Sequence, residues 1–159
     1  MYAIGEHVIH PGQGICTVVD IHPDTPTPML VLSAHTGHNE TRIQFPLALQ
    51  DKLHPAISPA QAHELIERYD LIETDPFCAR NSALEEAHFR EQMRLGALES
   101  VRVAKTMRER IAASRRTGKK PSAYYTRVLK EARRRALSEL ACVLGASEEE
   151  LDRQFSGAE

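Results

Sequence analysis

The first twenty-one residues, MYAIGEHVIHPGQGICTVVDI, constrain the fold more than any other stretch of the chain. An alternating run, His7-Val8-Ile9-His10, leads into Pro11-Gly12-Gln13-Gly14 and then into residues 15–21, which are rich in β-branched side chains. Alternation gives a strand one apolar face, and proline with two glycines supplies the backbone angles of a tight bend. The segment therefore reads as strand, turn, strand.

Residues 22–56 continue in the same style. Three prolines between residues 22 and 28 mark a turn, residues 29–33 a strand, and residues 35–39 a hairpin turn around Gly37. Residues 41–45 form another strand, stopped by Pro46, and residues 47–53 hold a last short strand or turn. Together these predict a small five-stranded β-barrel of the SH3 or Tudor kind over residues 1–56.

Helical signals then take over. Ser58-Pro59 is an N-cap with proline in the first turn of a helix over 59–69 that buries Ala62, Leu65 and Ile66. A second helix over 83–95 points Ala87 and Met93 inward, and Gly96 ends it. A third over 98–115 carries the stripe Val101, Ala104, Met107 and Ile111, and a fourth over 122–144 the stripe Tyr125, Leu129, Ala132, Ala136, Leu140 and Val143. Ser147 and Glu150 form a capping box for a short last helix. The expected class is α+β: a barrel, then a helical bundle of about five helices over 58–155, then a tail at 156–159.

At 159 residues the chain fits two small units, since its halves differ in kind. No apolar run reaches membrane-spanning length and the N-terminus lacks a basic-then-apolar leader, so a cytoplasmic location is expected. Cys16, Cys78 and Cys142 are odd in number and widely spaced, which argues for reduced thiols and against a zinc site. The eight histidines offer no metal set: His35 and His38 lack further ligands nearby, and His63-Glu64 lacks the second histidine of a zinc-protease helix. No glycine-rich loop leads from a strand into a helix. No catalytic, metal or cofactor site is expected, and the chain does not read as an enzyme.

The net charge of −2 conceals a strong asymmetry. Residues 1–80 carry four Lys/Arg against ten Asp/Glu, whereas residues 90–135 carry fifteen against four. Arg127, Lys130 and Arg134 recur on the fourth helix opposite its apolar stripe, with Arg133 and Arg135 beside them, and Arg102, Lys105 and Arg108 recur on the third. Cations spaced this way can each meet a phosphate, which gives affinity without sequence choice. The alternative is a basic solvated surface balanced by Glu148, Glu149, Glu150 and Asp152.

The opening resembles the CarD family of bacterial transcription regulators, whose first domain also occurs in the transcription-repair coupling factor. Gly5, Glu6, Val8, Ile9, Pro11, Gly14, Val18 and Ile21 fit its pattern, while His10, Gln13 and Cys16 stand where the family has Tyr, His and Gly. Val103-Ala104, Met107-Arg108-Glu109, Ser122-Ala123, Leu129 and Ala132-Arg133 match its later helices. The resemblance implies a barrel that binds the β subunit of bacterial RNA polymerase through a sheet edge, here Thr41, Arg42, Ile43, Gln44 and Phe45. It also implies a helical domain that meets promoter DNA at the edge of the melted bubble, through Arg102, Lys105, Arg127, Lys130, Arg133 and Arg134. The family's wedging Trp is absent from this chain, and its position falls on Ser82 or on Leu84. Leu84 can serve as a wedge or can pack inside the bundle. Two of the family's lysines fall on Thr126 and Glu131, which leaves open an adaptor of the same fold that has lost DNA engagement.

Overall fold

The computed structural model describes residues 1–36 and 39–157. The turn expected around Gly37, His38 of the His35/His38 pair and the last two residues of the expected tail lie outside them. The chain divides into two compact units, Met1–Ala56 and Ile57–Glu159. It is an α+β protein: an open antiparallel sheet comes first and helices follow.

The first unit contains β1 (His7–His10), β2 (Gly14–His22), β3 (Met29–Thr36), β4 (Asn39–Pro46) and β5 (His54–Pro55), hydrogen-bonded in the order β4-β3-β2-β1-β5. The β1–β2 loop has three residues and closes on Gly14 at φ +81°, a backbone angle that favours glycine. The His10 ring organises this loop, its Nδ1 accepting the Gly12 N–H at 3.0 Å and the Gln13 N–H at 3.1 Å. A bulge between Val18 and Asp20 bends β2. The sheet curls enough that the His10 ring of β1 meets Phe45 of β4 edge-on at 5.5 Å, although two strands separate them in the ladder. Val8, Cys16, Val18, Leu30, Leu32, Ala34, Phe45 and Leu53 form the core inside that curl. Residues 47–53, read as strand or turn, form a 3-10 helix, Leu47–Lys52, before β5.

The second unit contains α1 (Pro59–Glu67), α2 (Ser82–Met93), α3 (Ala97–Arg116), α4 (Ala123–Leu144) and α5 (Glu148–Gly157), with a 3-10 turn at Tyr69–Leu71. Ser58 and Gln61 make a full capping box at the start of α1. Gly145, in the left-handed conformation at φ +63°, ends α4. The antiparallel pair α3–α4 is the spine. At one end Phe89 and Met93 of α2 pack on Met107, Tyr124 and Val128; at the other, Leu65 of α1 and Leu151 and Phe155 of α5 pack on Val101 and Leu140.

Two helical faces differ from expectation. Ala87, expected to point inward, is exposed, and Phe89 is fully buried instead. Phe89 and Met93 stand four residues apart on one face, and at 100° per residue Ala87 lies on the opposite side. On α4 the buried stripe begins at Tyr124 and Val128, one residue earlier than Tyr125 and Leu129. The Tyr124 hydroxyl accounts for this shift, because it donates to Glu85 of α2 at 2.6 Å inside the packed interface. Among the described residues, no helix is long and apolar enough to cross a membrane, and no three potential ligands cluster as a metal site.

Candidate partner-binding surfaces

β4 ends the sheet and pairs only with β3 among the described strands, in the register Phe45↔Leu30, Ile43↔Leu32 and Thr41↔Ala34. The Leu47 N–H bonds the Pro28 carbonyl at 2.9 Å, which fixes the phase of this ladder. In an antiparallel pair alternate residues bond to the partner strand. Phe45, Ile43 and Thr41 therefore bond back to β3, while Glu40, Arg42 and Gln44 turn N–H and C=O to the open side. Pro46 falls in the outward phase too, where its missing N–H breaks no internal bond. The Arg42 and Gln44 side chains are exposed, whereas Ile43 is half-buried and Phe45 buried in the core. The opposite edge, β5, is only two residues long and presents Pro55. β4 is the longer of the two edges.

Leu84 stands on the first turn of α2 with 52% of its surface exposed. Asn81 caps that turn by accepting the Leu84 N–H at 3.0 Å. Leu84 is not a core residue of the bundle.

The α3 cations have a different task. Residues 72–81 join the 3-10 turn to α2 without regular structure, so their backbone groups need partners from elsewhere. Lys105 donates to the carbonyls of Tyr69 (2.9 Å), Asp70 (3.3 Å) and Ile72 (2.8 Å), which uses its three N–H donors. Arg102 Nε reaches the Glu73 carbonyl at 3.2 Å, and Arg110 reaches the carbonyls of Asp75 and Phe77. Thr106 Oγ1 accepts the Asp75 N–H at 2.9 Å. Lys105, expected to face phosphate, is thus a clasp on its own chain, and Arg102 shares that role. Arg108 donates to the Tyr69 hydroxyl at 3.2 Å.

A polar cluster that sequence reasoning missed locks the same segment to α2. His88 Nε2 and Asp75 Oδ2 are 2.7 Å apart, and the His88 ring stacks on Phe77 at 3.9 Å between centroids. Burial alone would raise the Asp75 carboxyl, but the His88 ring and the Phe77 N–H override it and hold it below the usual range. Burial raises the Tyr124 hydroxyl, and its bond to Glu85 adds to that. A histidine and an aspartate thirteen residues apart carry no spacing motif, which is why the pair was invisible beforehand.

The α4 face is already partly neutralised. Arg127 bonds Glu86 of α2 at 3.0 Å, and Glu86 also holds Arg90 at 2.8 Å. Arg133 Nε bonds Asp152 of α5 at 3.0 Å. Arg134 forks onto Glu131 at 2.7 and 3.0 Å, and Arg135, counted beforehand as a flanking cation, is buried against the same carboxylate at 3.0 Å. Lys130 is exposed and has no ion pair among the described residues. The carboxylates record these contacts. Arg134 holds Glu131 low and Arg133 holds Asp152 low, while for Glu86 the pull of Arg90 and Arg127 outweighs burial. An open groove runs over this face, with Leu129 and Leu137 between Lys130, Arg134 and the Arg133–Asp152 pair.

The other side of α4 carries Glu139, 3% exposed, which accepts the Ile57 N–H at 2.9 Å and also the Ala97 N–H. Burial pushes its carboxyl up to about 7, Glu99 adds to the rise, and the two N–H groups resist it.

No protein-family model matches this chain, and no curated protein matches it at a significant level.

Proposed function

We propose that the chain is a non-catalytic, cytoplasmic transcription regulator of the CarD type. Its sheet unit, an SH3/Tudor-like fold in this reading, binds the β subunit of bacterial RNA polymerase, and its helical unit acts on promoter DNA. The observation that carries the proposal is the β4 edge, whose outward groups at Arg42 and Gln44 are set to take up a strand from another protein. The curl of the sheet, with β1 touching β4, supports the SH3-like reading. The anchored protein holds its helical unit near upstream DNA at high effective concentration and biases promoter opening through contacts made better in one state. Leu84 supplies the apolar wedge, and Lys130 with Arg127, Arg133 and Arg134 supplies phosphate contacts.

A second reading, a protein adaptor without DNA engagement, is favoured by one observation: Arg102 and Lys105 are bound within the fold and four of the five α4 cations carry carboxylate partners. The test is co-purification with core RNA polymerase, followed by open-complex lifetime with and without the protein. Binding with a changed lifetime supports the regulator; binding with an unchanged lifetime supports the adaptor. Absence of polymerase binding overturns both.

A further inference from the structure

The helix α5 lays acids along the basic face. Its apolar side chains Leu151 and Phe155 are buried in the core against α4, which fixes its rotation. Glu148 and Asp152, one turn apart on α5, are thereby aimed at α4: Glu148 accepts from the Ser138 hydroxyl at 2.9 Å, and Asp152 accepts from Arg133. The Arg133–Asp152 pair is itself reachable, with the two side chains 43% and 36% exposed, and Asp152 borders the groove that Lys130, Arg133 and Arg134 line.

We propose that α5 is a built-in competitor for the anion site on α4: Asp152 occupies Arg133 in the free protein and must yield it before a nucleic-acid phosphate can bind there. This rests on the DNA reading above and specifies how that site is regulated. The arrangement fits an exchange of partners. A half-exposed pair is weakly held, so a backbone phosphate of the same single charge can displace the carboxylate when the field of the neighbouring phosphates and the release of their counterions add to the contact. Exchange leaves Asp152 to water and to the nearby Arg108 while α5 stays anchored by Leu151 and Phe155, so no helix has to unfold. The masking makes binding weak on isolated DNA and confines it to a protein already tethered near the duplex.

The test uses the full chain and a short fluorescent DNA duplex, with affinity measured across a salt series for the parent, Asp152→Asn, Arg133→Ala and the double variant. Asn preserves the shape of the side chain, and thermal melting verifies that each variant is folded. The expected result for Asp152→Asn is about two- to fivefold tighter binding at moderate salt, the range that releasing one exposed ion pair implies. A salt slope steeper by up to ~0.9 should accompany it, as one further phosphate is engaged. In the Arg133→Ala background Asp152→Asn should gain no additional phosphate contact and leave the slope unchanged. If the parent binds and Asp152→Asn binds no tighter, the competitor role is overturned while the DNA reading stands. If the slope steepens equally without Arg133, the acid acts by general repulsion or through Arg108, and the proposed exchange at Arg133 is wrong. If no protein in the set binds, the DNA reading falls and the inference with it.

Discussion

The β4 edge and the α4 face are both surfaces on which a partner could land, and they differ in how much bonding capacity the fold leaves free. On β4 the side facing β3 is closed, and on the other side no further strand pairs with it among the described residues. On α4 Arg127, Arg133 and Arg134 are met by Glu86 from α2, Asp152 from α5 and Glu131 from their own helix, which leaves Lys130 without an ion pair among the described residues. The edge offers backbone groups at Arg42 and Gln44 that no described strand competes for, whereas the face, Lys130 apart, offers charges that a ligand must take from existing partners. Backbone edges are the cleaner evidence for a binding surface. Clusters of arginine count only after their carboxylates have been subtracted.

The sharpest way to break this comparison is proline placed along β4. Ile43 donates its N–H to the ladder with β3, so Ile43→Pro should cost about 3 kcal/mol or more and unfold the sheet unit, read by urea titration. Gln44 points its N–H outward, so Gln44→Pro should leave the melting temperature within a few degrees of the parent and still abolish polymerase binding. Retention of full polymerase binding by a folded Gln44→Pro protein would remove the edge from consideration.

The buried side of α4 gives the next largest effect. Glu139 has its carboxyl raised in the folded state, so the native protein holds a proton there that the unfolded chain has released. Stability from this group is therefore complete below about pH 4 and declines as pH rises through 7, by up to roughly 3 kcal/mol. Glu139→Gln keeps an acceptor for the Ile57 N–H and should flatten that decline, measured by denaturant unfolding at pH 5 and pH 8. Equal pH dependence in parent and variant would show that Glu139 is ordinary.

Changing Arg127, Lys130 and Arg134 to Ala together should lower the slope of log affinity against log salt for duplex DNA, but by less than the ~3 units that three free cations imply. Lys130→Ala alone should account for the largest single share, near 0.9. Equal slopes for parent and triple variant would eliminate the face. The smallest effect is expected at Leu84, where exposure predicts that Leu84→Ala changes stability by less than about 0.5 kcal/mol. Phe89→Ala, only five residues along the chain but at a fully buried position, should cost about 3–5 kcal/mol. With stability unmoved, a shortened open-complex lifetime in Leu84→Ala isolates a wedge, and an unchanged lifetime dismisses it.

The strands were legible in the sequence because a strand writes its pattern locally, in alternation and in turn residues such as Pro11, Gly14 and Pro46. The helices were legible for the same reason, apart from the face of α2, where Ala87 and Phe89 compete, and the start of the α4 stripe, where Tyr124 and Val128 replace Tyr125 and Leu129; in both only packing decides. The candidate sites were less so. A window of residues 90–135 cannot see that Glu86 and Asp152 return to it in space, nor that backbone carbonyls, which no letter records, claim Lys105. Arg42 and Gln44 could be assigned to an edge strand, but which of its amides face outward depends on ladder phase. A sequence does not contain that phase until the Leu47–Pro28 bond sets it.

The clasp that α3 places on residues 69–77 also imposes an order on folding. Its bonds link groups 29 to 36 positions apart, and every donor from Arg102 to Arg110 stands where it does only because the helix exists. His88 of α2 can hold Asp75 and Phe77 locally, but the bonds to Lys105, Arg102 and Arg110 have nothing to close on until α3 is formed, so full docking of the segment is expected late, after the loop-closure cost has been met. The reverse path follows from the same bonds. Local opening of the segment, with α3 and both helical cores intact, would let the amide of Asp75, bonded to Thr106, exchange with solvent as its first sign.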